Sequence, residues 1–297
     1  MGRRPHTGPD GLVVVDKPAG WTSHDVVAKS RGLLGTRKVG HAGTLDPDAT
    51  GVLILGVGKA TKLLRFLSPL GKAYVGEVAL GTETSTLDAA GEVTATYDMG
   101  DVTLDDVRAA AAAFVGDIEQ IPPMVSAVKI DGRRLHELAR QGIEVDRPPR
   151  PVTIGSLEVL PGPDDEPGVF TLAVSCSSGT YIRTLAADIG TALGGGAHLR
   201  RLRRTSVGPF TLDEAVLLEA VDPEQVRPLI EAVRHLASVT VDEAGAEAVR
   251  VGKVLEQADL GVTGEGPWAV VGPGGDLLAV YEPFRGTTVK PSLVIPA

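Results

Sequence analysis

A chain of 297 residues, 43% hydrophobic and 23% charged, can bury one large core or two moderate ones. It has no apolar run near the ~18 residues of a membrane span, and its single cysteine, Cys176, excludes an internal disulfide and fits a reducing cytoplasm. The net charge of −9 argues against a nucleic-acid partner only until it is located: residues 205–297 hold 14 acidic and 6 basic side chains, whereas residues 1–204 hold 24 and 23.

In chain order, residues 12–15 predict a short buried strand, stopped by Asp16-Lys17-Pro18-Ala19-Gly20. Thr22 and Ser23 are capping candidates for a helix over 24–34 that Gly35 closes. Residues 40–51 are a glycine- and proline-rich stretch that predicts a shaped loop, entering a strand at 52–55. A short helix near 60–67 follows. Residues 72–81 predict a strand with Tyr74, Gly76, Val78 and Leu80 on one face. Residues 82–91 have no apolar period and predict an exposed loop, and 93–97 a returning strand. Thr103, with Asp106 three residues on, opens an alanine-rich helix over 105–114.

Residues 125–130 predict a strand, and 135–141 a basic helix. Two further strands are predicted at 152–160 and 169–176. Leu185, Ile189 and Leu193 make a helical stripe beginning beside Tyr181 and Arg183, and 198–207 is a basic strand. After prolines 209, 223 and 228 come short helices. The last segment predicts one helix over 243–254 and β runs at 268–271 and 277–281. Strands alternate irregularly with helices, which predicts an α+β fold with a mixed, mainly antiparallel sheet flanked by helices and a small β-rich C-terminal module. The expected division is a domain over 10–235 and a module over 240–297.

Some chemistry is excluded. Gly56-Val57-Gly58-Lys59-Ala60-Thr61 is no phosphate loop, because Leu53 and Ala60 stand where a glycine and a Ser/Thr are required. The six histidines never approach metal-ligand spacing; a Ser-His-Asp triad stays open on sequence, but no Gly-x-Ser-x-Gly elbow is present. The remaining candidate is Asp46, held before Pro47, whose ring forces extended backbone on the residue preceding it.

Asp16-Lys17-Pro18, Gly40-His41-Ala42-Gly43-Thr44-Leu45-Asp46-Pro47-Asp48-Ala49-Thr50-Gly51, Lys72-Ala73-Tyr74, Gly179-Thr180-Tyr181-Ile182-Arg183-Thr184-Leu185 and Leu202-Arg203-Arg204-Thr205 stand in one order along the chain. In that order and spacing the sequence resembles the TruB family, the tRNA pseudouridine-55 synthases, over about residues 10–210. The resemblance implies the pseudouridine synthase catalytic fold, a uridine flipped out of the T-arm loop of tRNA, and no cofactor, metal or guide RNA. It implies that Asp46 is the catalytic group, Arg183 its ion-pair partner, and Tyr74 a further catalytic and substrate-holding residue. His41 would fill the space the uridine leaves, and Tyr181 and Leu202 would wall the base. The C-terminal module is expected to be PUA-like, although its acidity argues for limited contact with phosphates.

Basic residues cluster on both sides of the candidate loops. Lys17, Lys62, Arg140, Arg147 and Arg203 are the expected RNA contacts, since phosphates need local cations rather than a basic total. A monomer suffices for one active site drawn from one chain. Two rival readings stay open here: a tRNA-folding chaperone with secondary catalysis, and the related guide-dependent synthase of ribonucleoprotein particles.

Overall fold

The computed structural model describes residues 8–126, 129–130, 133–135, 138, 141–143, 145–163 and 166–296. A ten-stranded mixed sheet runs through the body of the chain. Its order is Val216–Leu217, Gly11–Lys17, Thr50–Val57, Ala197–Val207, Lys72–Leu80, Val169–Cys176, Arg150–Pro161 and Gly116–Gln120, with Val39–Ala42 and Phe210–Thr211 attached at its side. All pairings are antiparallel except Gly11–Lys17 with Val216–Leu217 and Thr50–Val57 with Ala197–Val207. The fold is therefore the expected α+β arrangement with a mixed, mainly antiparallel sheet.

Period-two geometry explains why the central strands carry unbroken apolar runs. In Gly11–Lys17, Leu12 and Val14 enter one core while Val13 and Val15 enter another on the opposite face. The second of these faces is covered by the helix Ser23–Leu33, which contributes Val26 and Val27. Thr22 caps that helix in a reciprocal box with Asp25, a device worth ~1 kcal/mol. A third core holds Tyr74 and Val78 against the helices Leu104–Ala112 and Ile182–Ala192, through Val107, Ala111, Leu185 and Ile189.

The C-terminal segment forms a five-stranded sheet ordered Ala237–Thr240, Trp268–Val271, Leu277–Pro283, Thr288–Val294 and Leu255–Glu256. Ala269, Leu277, Val280 and Ile295 pack into one cluster with Leu12, Ile54, Leu67 and Val233 of the body. Among the described residues no helix is long and apolar enough to cross a membrane.

Several expectations need correction. Residues 39–42 form an edge strand paired with Thr50–Val57, so His41 sits opposite Leu55 in a ladder and the loop proper covers only 43–49. The 82–91 segment is not an exposed loop: Thr82–Thr84 pairs with Val93–Thr96, and Leu87 and Ala89 bond to Leu199 across the sheet edge. Its polar groups satisfy one another, as when the Thr84 hydroxyl donates to Asp88 O at 2.6 Å, so burial needed no apolar period.

The edge strand Gly116–Gln120 escaped because Ile118 is its one apolar side chain. Val125 and Ser126 lie in bends rather than in a strand. The C-terminal helix stops at Arg250, and the strands Ala237–Thr240 and Thr288–Val294 were not expected. Most of the expected 135–141 helix lies outside the described residues.

Candidate active site

The loop over 43–49 is held by buried groups on every side. The Leu45 N–H donates to Ser23 Oγ at 2.9 Å, the Ser23 hydroxyl donates to Leu45 O at 3.2 Å, and the Leu45 side chain is buried. Lys17, fully buried, donates to the carbonyls of Pro18 (2.9 Å), Trp21 (2.6 Å) and Pro47 (2.8 Å). Arg204, also fully buried, donates to Gly43 O (3.1 Å), Thr44 O (3.3 Å) and Val52 O (2.7 Å). Loop carbonyls buried without such donors would each cost ~1–3 kcal/mol, so these two cations are what allow an irregular loop inside the molecule.

Lys17 is therefore not free to meet RNA: its ammonium is spent on carbonyls in the interior. That corrects the expectation from sequence. Burial pushes Lys17 down to about 8, against the opposing pull of Asp48 and Asp46.

Gly51 follows from the same packing. Its φ is +103°, and a Cβ placed there would lie 2.1 Å from Arg204 O. The strands Thr50–Val57 and Ala197–Val207 touch in parallel only at Arg203–Thr50 and Arg204–Gly51, and a side chain at Gly51 would wedge that seam apart.

Asp46 leaves this loop toward the N-terminus of the helix Ile182–Ala192. That terminus lacks a side-chain cap of its own; Gln120 supplies one from the edge strand, accepting from Tyr181 N at 2.9 Å and donating to Tyr181 O at 3.2 Å. Arg183 in the first turn is buried and forks between several acceptors. Its Nε lies 3.1 Å from Asp46 Oδ2 and its Nη2 3.4 Å from Asp46 Oδ1. Nη1 reaches Asp88 Oδ2 at 3.2 Å and Thr86 O at 3.1 Å, and Nη2 donates to Val125 O at 2.7 Å. A lysine could not serve such a planar array.

Asp88 was missed in the sequence, and the fold brings it in. It sits after Leu87, a non-glycine residue at φ +61°, and its carboxylate also accepts from the Thr86 hydroxyl and from Ala90 N. Burial pushes the Asp46 carboxyl above the usual range, Arg183 opposes that shift, and the like charge of Asp88 adds to it.

Asp46 stands at the wall of a cavity of about 250 Å³ that Tyr74, Ser126, Thr180, Tyr181 and Leu202 also line. Tyr74 is buried and hydrogen-bonded to Arg204; burial pushes its phenol up while Arg204 pulls it down. Tyr181 is pushed up chiefly by burial and hydrogen-bonds Ser126. On the other side of Asp46, Arg183 and Leu202 opens a larger, mostly apolar groove of about 880 Å³ that includes Thr50, Val75, Asp88 and Arg201. Asp48, beside Asp46 in sequence, is exposed and faces that groove.

Of the residues singled out from sequence, Asp46, Tyr74, Tyr181, Arg183 and Leu202 converge on one cavity. His41 does not line it. Its ring stands edge-on to His24, with centroids 5.3 Å apart, and burial, His24 and Arg204 push it down to about 4. Arg203 is engaged with Asp16 at 2.7 and 3.1 Å and with Thr50 at 3.2 Å. Arg147 donates to Pro122 O at 3.0 Å, Lys62 is exposed, and Arg140 lies outside the described residues. Among the described residues no three His, Cys, Asp or Glu side chains gather as metal ligands.

This fold is shared with known RNA-associated proteins. Across 96% of its length the chain is similar to a chain of a Cbf5-Nop10-Gar1 complex, with a TM-score of 0.74, 30% identity and 85% of that chain covered. A chain of an H/ACA RNP bound to a substrate RNA containing 2′-deoxyuridine matches 97% of it at a TM-score of 0.72 and 27% identity, with 85% of that chain covered. Fold and site together thus define a class: a mixed sheet carrying an aspartate paired to a buried arginine beside a cavity of about 250 Å³.

The family models narrow the class. Residues 31–182 match the TruB family pseudouridylate synthase N-terminal domain, and 183–233 the tRNA pseudouridylate synthase B C-terminal domain. The tRNA pseudouridine synthase B of Streptomyces coelicolor is 50% identical over 289 residues, covering 95% of this chain and 96% of that protein. The protein of the same name from Shouchella clausii is 44% identical over 295 residues, covering 95% and 97%. The chain belongs to the TruB family of pseudouridylate synthases.

Proposed function

We propose that the chain isomerises uridine-55 in the T-loop of tRNA to pseudouridine, acting on the bare RNA without cofactor or guide RNA. The observation that carries this reading is the Asp46 carboxylate, fixed by Arg183 at 3.1 Å on the wall of a cavity that two tyrosines also line.

The reaction breaks the bond from carbon 1′ to N1 of uracil, turns the base, and joins carbon 1′ to carbon 5. The proton lost from carbon 5 is balanced by one gained at N1, so the product is an isomer and no electrons are exchanged. Asp46 acts on the sugar, either by attacking carbon 1′ or by removing the 2′ proton. Both routes require it ionised in a site that excludes water, and Arg183 serves that need by opposing the effect of burial. Tyr74, Tyr181 and Leu202 hold the detached base while it turns. Flipping a loop nucleotide costs less than flipping one in a duplex, which suits a T-loop target. His41 takes the space the base vacates.

The test is conversion of an unmodified tRNA transcript by the purified chain with no other RNA present. Pseudouridine at position 55 is the expected result. Asp46→Asn is expected to abolish conversion while leaving tRNA binding within about threefold. Conversion by Asp46→Asn at the wild-type rate overturns the assignment of Asp46. Conversion only after a second RNA is added favours the mode suggested by the ribonucleoprotein neighbours, and binding without conversion favours the chaperone reading.

A further inference from the structure

Lys72 opens the strand Lys72–Leu80 two residues before Tyr74, so both side chains leave the same face of the sheet. The strand runs between Val169–Cys176 and Ala197–Val207, and Lys72 stands opposite Cys176 on one side and Val207 on the other. Its side chain is thereby held inside the molecule, 8% exposed, and it lines the same cavity as Asp46 and Tyr74. It passes beside the start of the Asp46 loop: a Cβ at Gly43 would lie 3.4 Å from Lys72 Cε and 3.6 Å from Arg204 Nη1.

The cations around this site are engaged differently. Arg183 is tied to two carboxylates, and Arg204 is turned to carbonyls and to Tyr74. The Lys17 ammonium has three carbonyl acceptors for its three N–H groups. Lys72 has two, Ser68 O at 3.1 Å and Leu70 O at 2.7 Å, which leaves one N–H without an acceptor among the described residues. Among those residues no carboxylate pairs with Lys72. The charged and titratable neighbours that act on it are Arg204, which repels it, and the Cys176 thiol, which burial pushes up and keeps neutral. A buried cation without a counter-ion costs stability, and such groups gather where a reaction brings the opposite charge.

The isomerisation brings that charge. When the bond from carbon 1′ to N1 breaks, the electron pair leaves with the base, by either route open to Asp46. The uracil is then an anion whose charge is shared by N1, O2 and O4. Carbon 5 next supplies the electron pair of the new bond to carbon 1′, which discharges the anion; a proton is lost from carbon 5 and one is gained at N1. We propose that Lys72 is a further catalytic residue, whose third N–H donates to a carbonyl oxygen of the departing uracil and stabilises the anion while the base turns. Lys72 keeps its proton throughout, so no bond to it forms or breaks. Arg183 does not supply this charge, because Asp46 and Asp88 already match it. A fixed cation aimed at charge that appears only during the reaction lowers the barrier without tightening the ground state. The inference rests on the reading that a uridine of tRNA is the substrate.

Lys72→Met keeps the stem of the side chain and removes its charge. Single-turnover consumption of the target nucleoside, read by nuclease digestion and mass spectrometry, is compared on two tRNAs, one with uridine and one with 5-fluorouridine at the target position. Fluorine at carbon 5 makes the departing base more acidic, so its anion needs less help. Lys72→Met is expected to slow consumption of uridine by about 10²-fold and of 5-fluorouridine by about tenfold, with tRNA affinity unchanged. Both values come from one variant, so any loss of folded protein cancels from their ratio. The wild-type rate on uridine is expected to fall as pH rises through about 8, the value to which burial and Arg204 push Lys72, and Lys72→Met should lack that limb. Lys17 is also pushed down to about 8, while burial pushes Tyr74, Tyr181 and Cys176 up, so the variant decides which lysine the limb reports. Equal slowing on the two substrates, a loss explained by weaker tRNA binding, or an alkaline limb that persists in Lys72→Met overturns the inference. A wild-type chain that consumes neither nucleoside overturns the functional reading and this inference with it; a wild-type chain active on both, slowed equally by the substitution, overturns this one alone.

Discussion

Replacing Arg183 by methionine keeps much of the side chain's volume and removes the fork at the centre of the site. Asp46 loses contacts at 3.1 and 3.4 Å, Asp88 loses one at 3.2 Å, and the carbonyls of Thr86 and Val125 lose donors at 3.1 and 2.7 Å. Removing one member of a buried ion pair costs ~3–5 kcal/mol. The Asp46 side chain is 43% exposed and that of Asp88 23%, so water recovers part of this, and ~2–3 kcal/mol is the expected loss. At ~2–4 °C per kcal/mol for a protein of this size, the melting temperature falls by roughly 4–12 °C.

The chemical consequence should be larger than the structural one. Without the guanidinium, two carboxylates face each other in a site where burial already favours the protonated form of Asp46. Asp46 then binds its proton more tightly, so on acidification the ionised form is lost at a higher pH. The acid limb of the pH–rate profile therefore moves upward, and displacement of the carboxylate lowers the single-turnover rate by ~10²-fold or more. Arg183→Lys should recover part of the stability and little of the rate, because one point charge cannot bridge both carboxylates in the plane. Single-turnover pseudouridine formation across a pH series measures both effects. An Arg183→Met enzyme with an unmoved acid limb and a rate within tenfold of wild type would refute the assignment.

Three further outcomes are expected. Because burial raises the folded-state value of Asp46, its stabilising contribution is present below the ordinary aspartate range and is lost as pH rises through the folded value. Inactive Asp46→Asn should thus melt no lower than wild type near neutral pH, and a drop of several degrees would show that the ion pair outweighs burial. Gly51→Ala should cost at least ~2 kcal/mol in urea unfolding, from strain at φ +103° and the approach to Arg204 O, whereas Gly35→Ala, at φ +61° in open space, should cost only ~1 kcal/mol. His41 should titrate by NMR at about 4, and His24→Ala should raise that value by removing the neighbouring ring. The sign follows: stability from neutral His41 is complete above the ordinary histidine value and is lost as pH falls through about 4, a loss that His41→Gln should abolish.

Short-range patterns were legible without the fold. Thr22 announced its helix as a cap candidate and Thr103 through Asp106 in box position, because a cap is made within three residues; the structure adds the reciprocal box of Thr22 with Asp25. The alternation through Tyr74 and Val78 announced one strand face, and the glycine-rich stretch marked where an irregular loop must lie. The five blocks of family residues pointed to Asp46, Tyr74, Tyr181, Arg183 and Leu202, all of which reach one cavity. Charge patterns were legible only as totals. A sum over the C-terminal segment conceals that Arg285 and Lys290 share a ring.

What only the tertiary structure decided is the use to which each polar group is put. Lys17 read as an RNA contact and Arg204 only as part of a family block, but both are buried against backbone carbonyls that no local pattern could assign to them. Gln120 and Asp88 come from segments with no apolar period, an edge strand and a self-satisfied loop. They enter the site because sheet pairing brings distant residues to Tyr181 and Arg183. Sequence located most of the helices and central strands and singled out Asp46, since propensity and capping act over a few residues. The carboxylate's electrostatic setting belongs to the fold, because desolvation and ion pairing depend on partners more than a hundred residues away along the chain, as the separation of 137 between Asp46 and Arg183 shows.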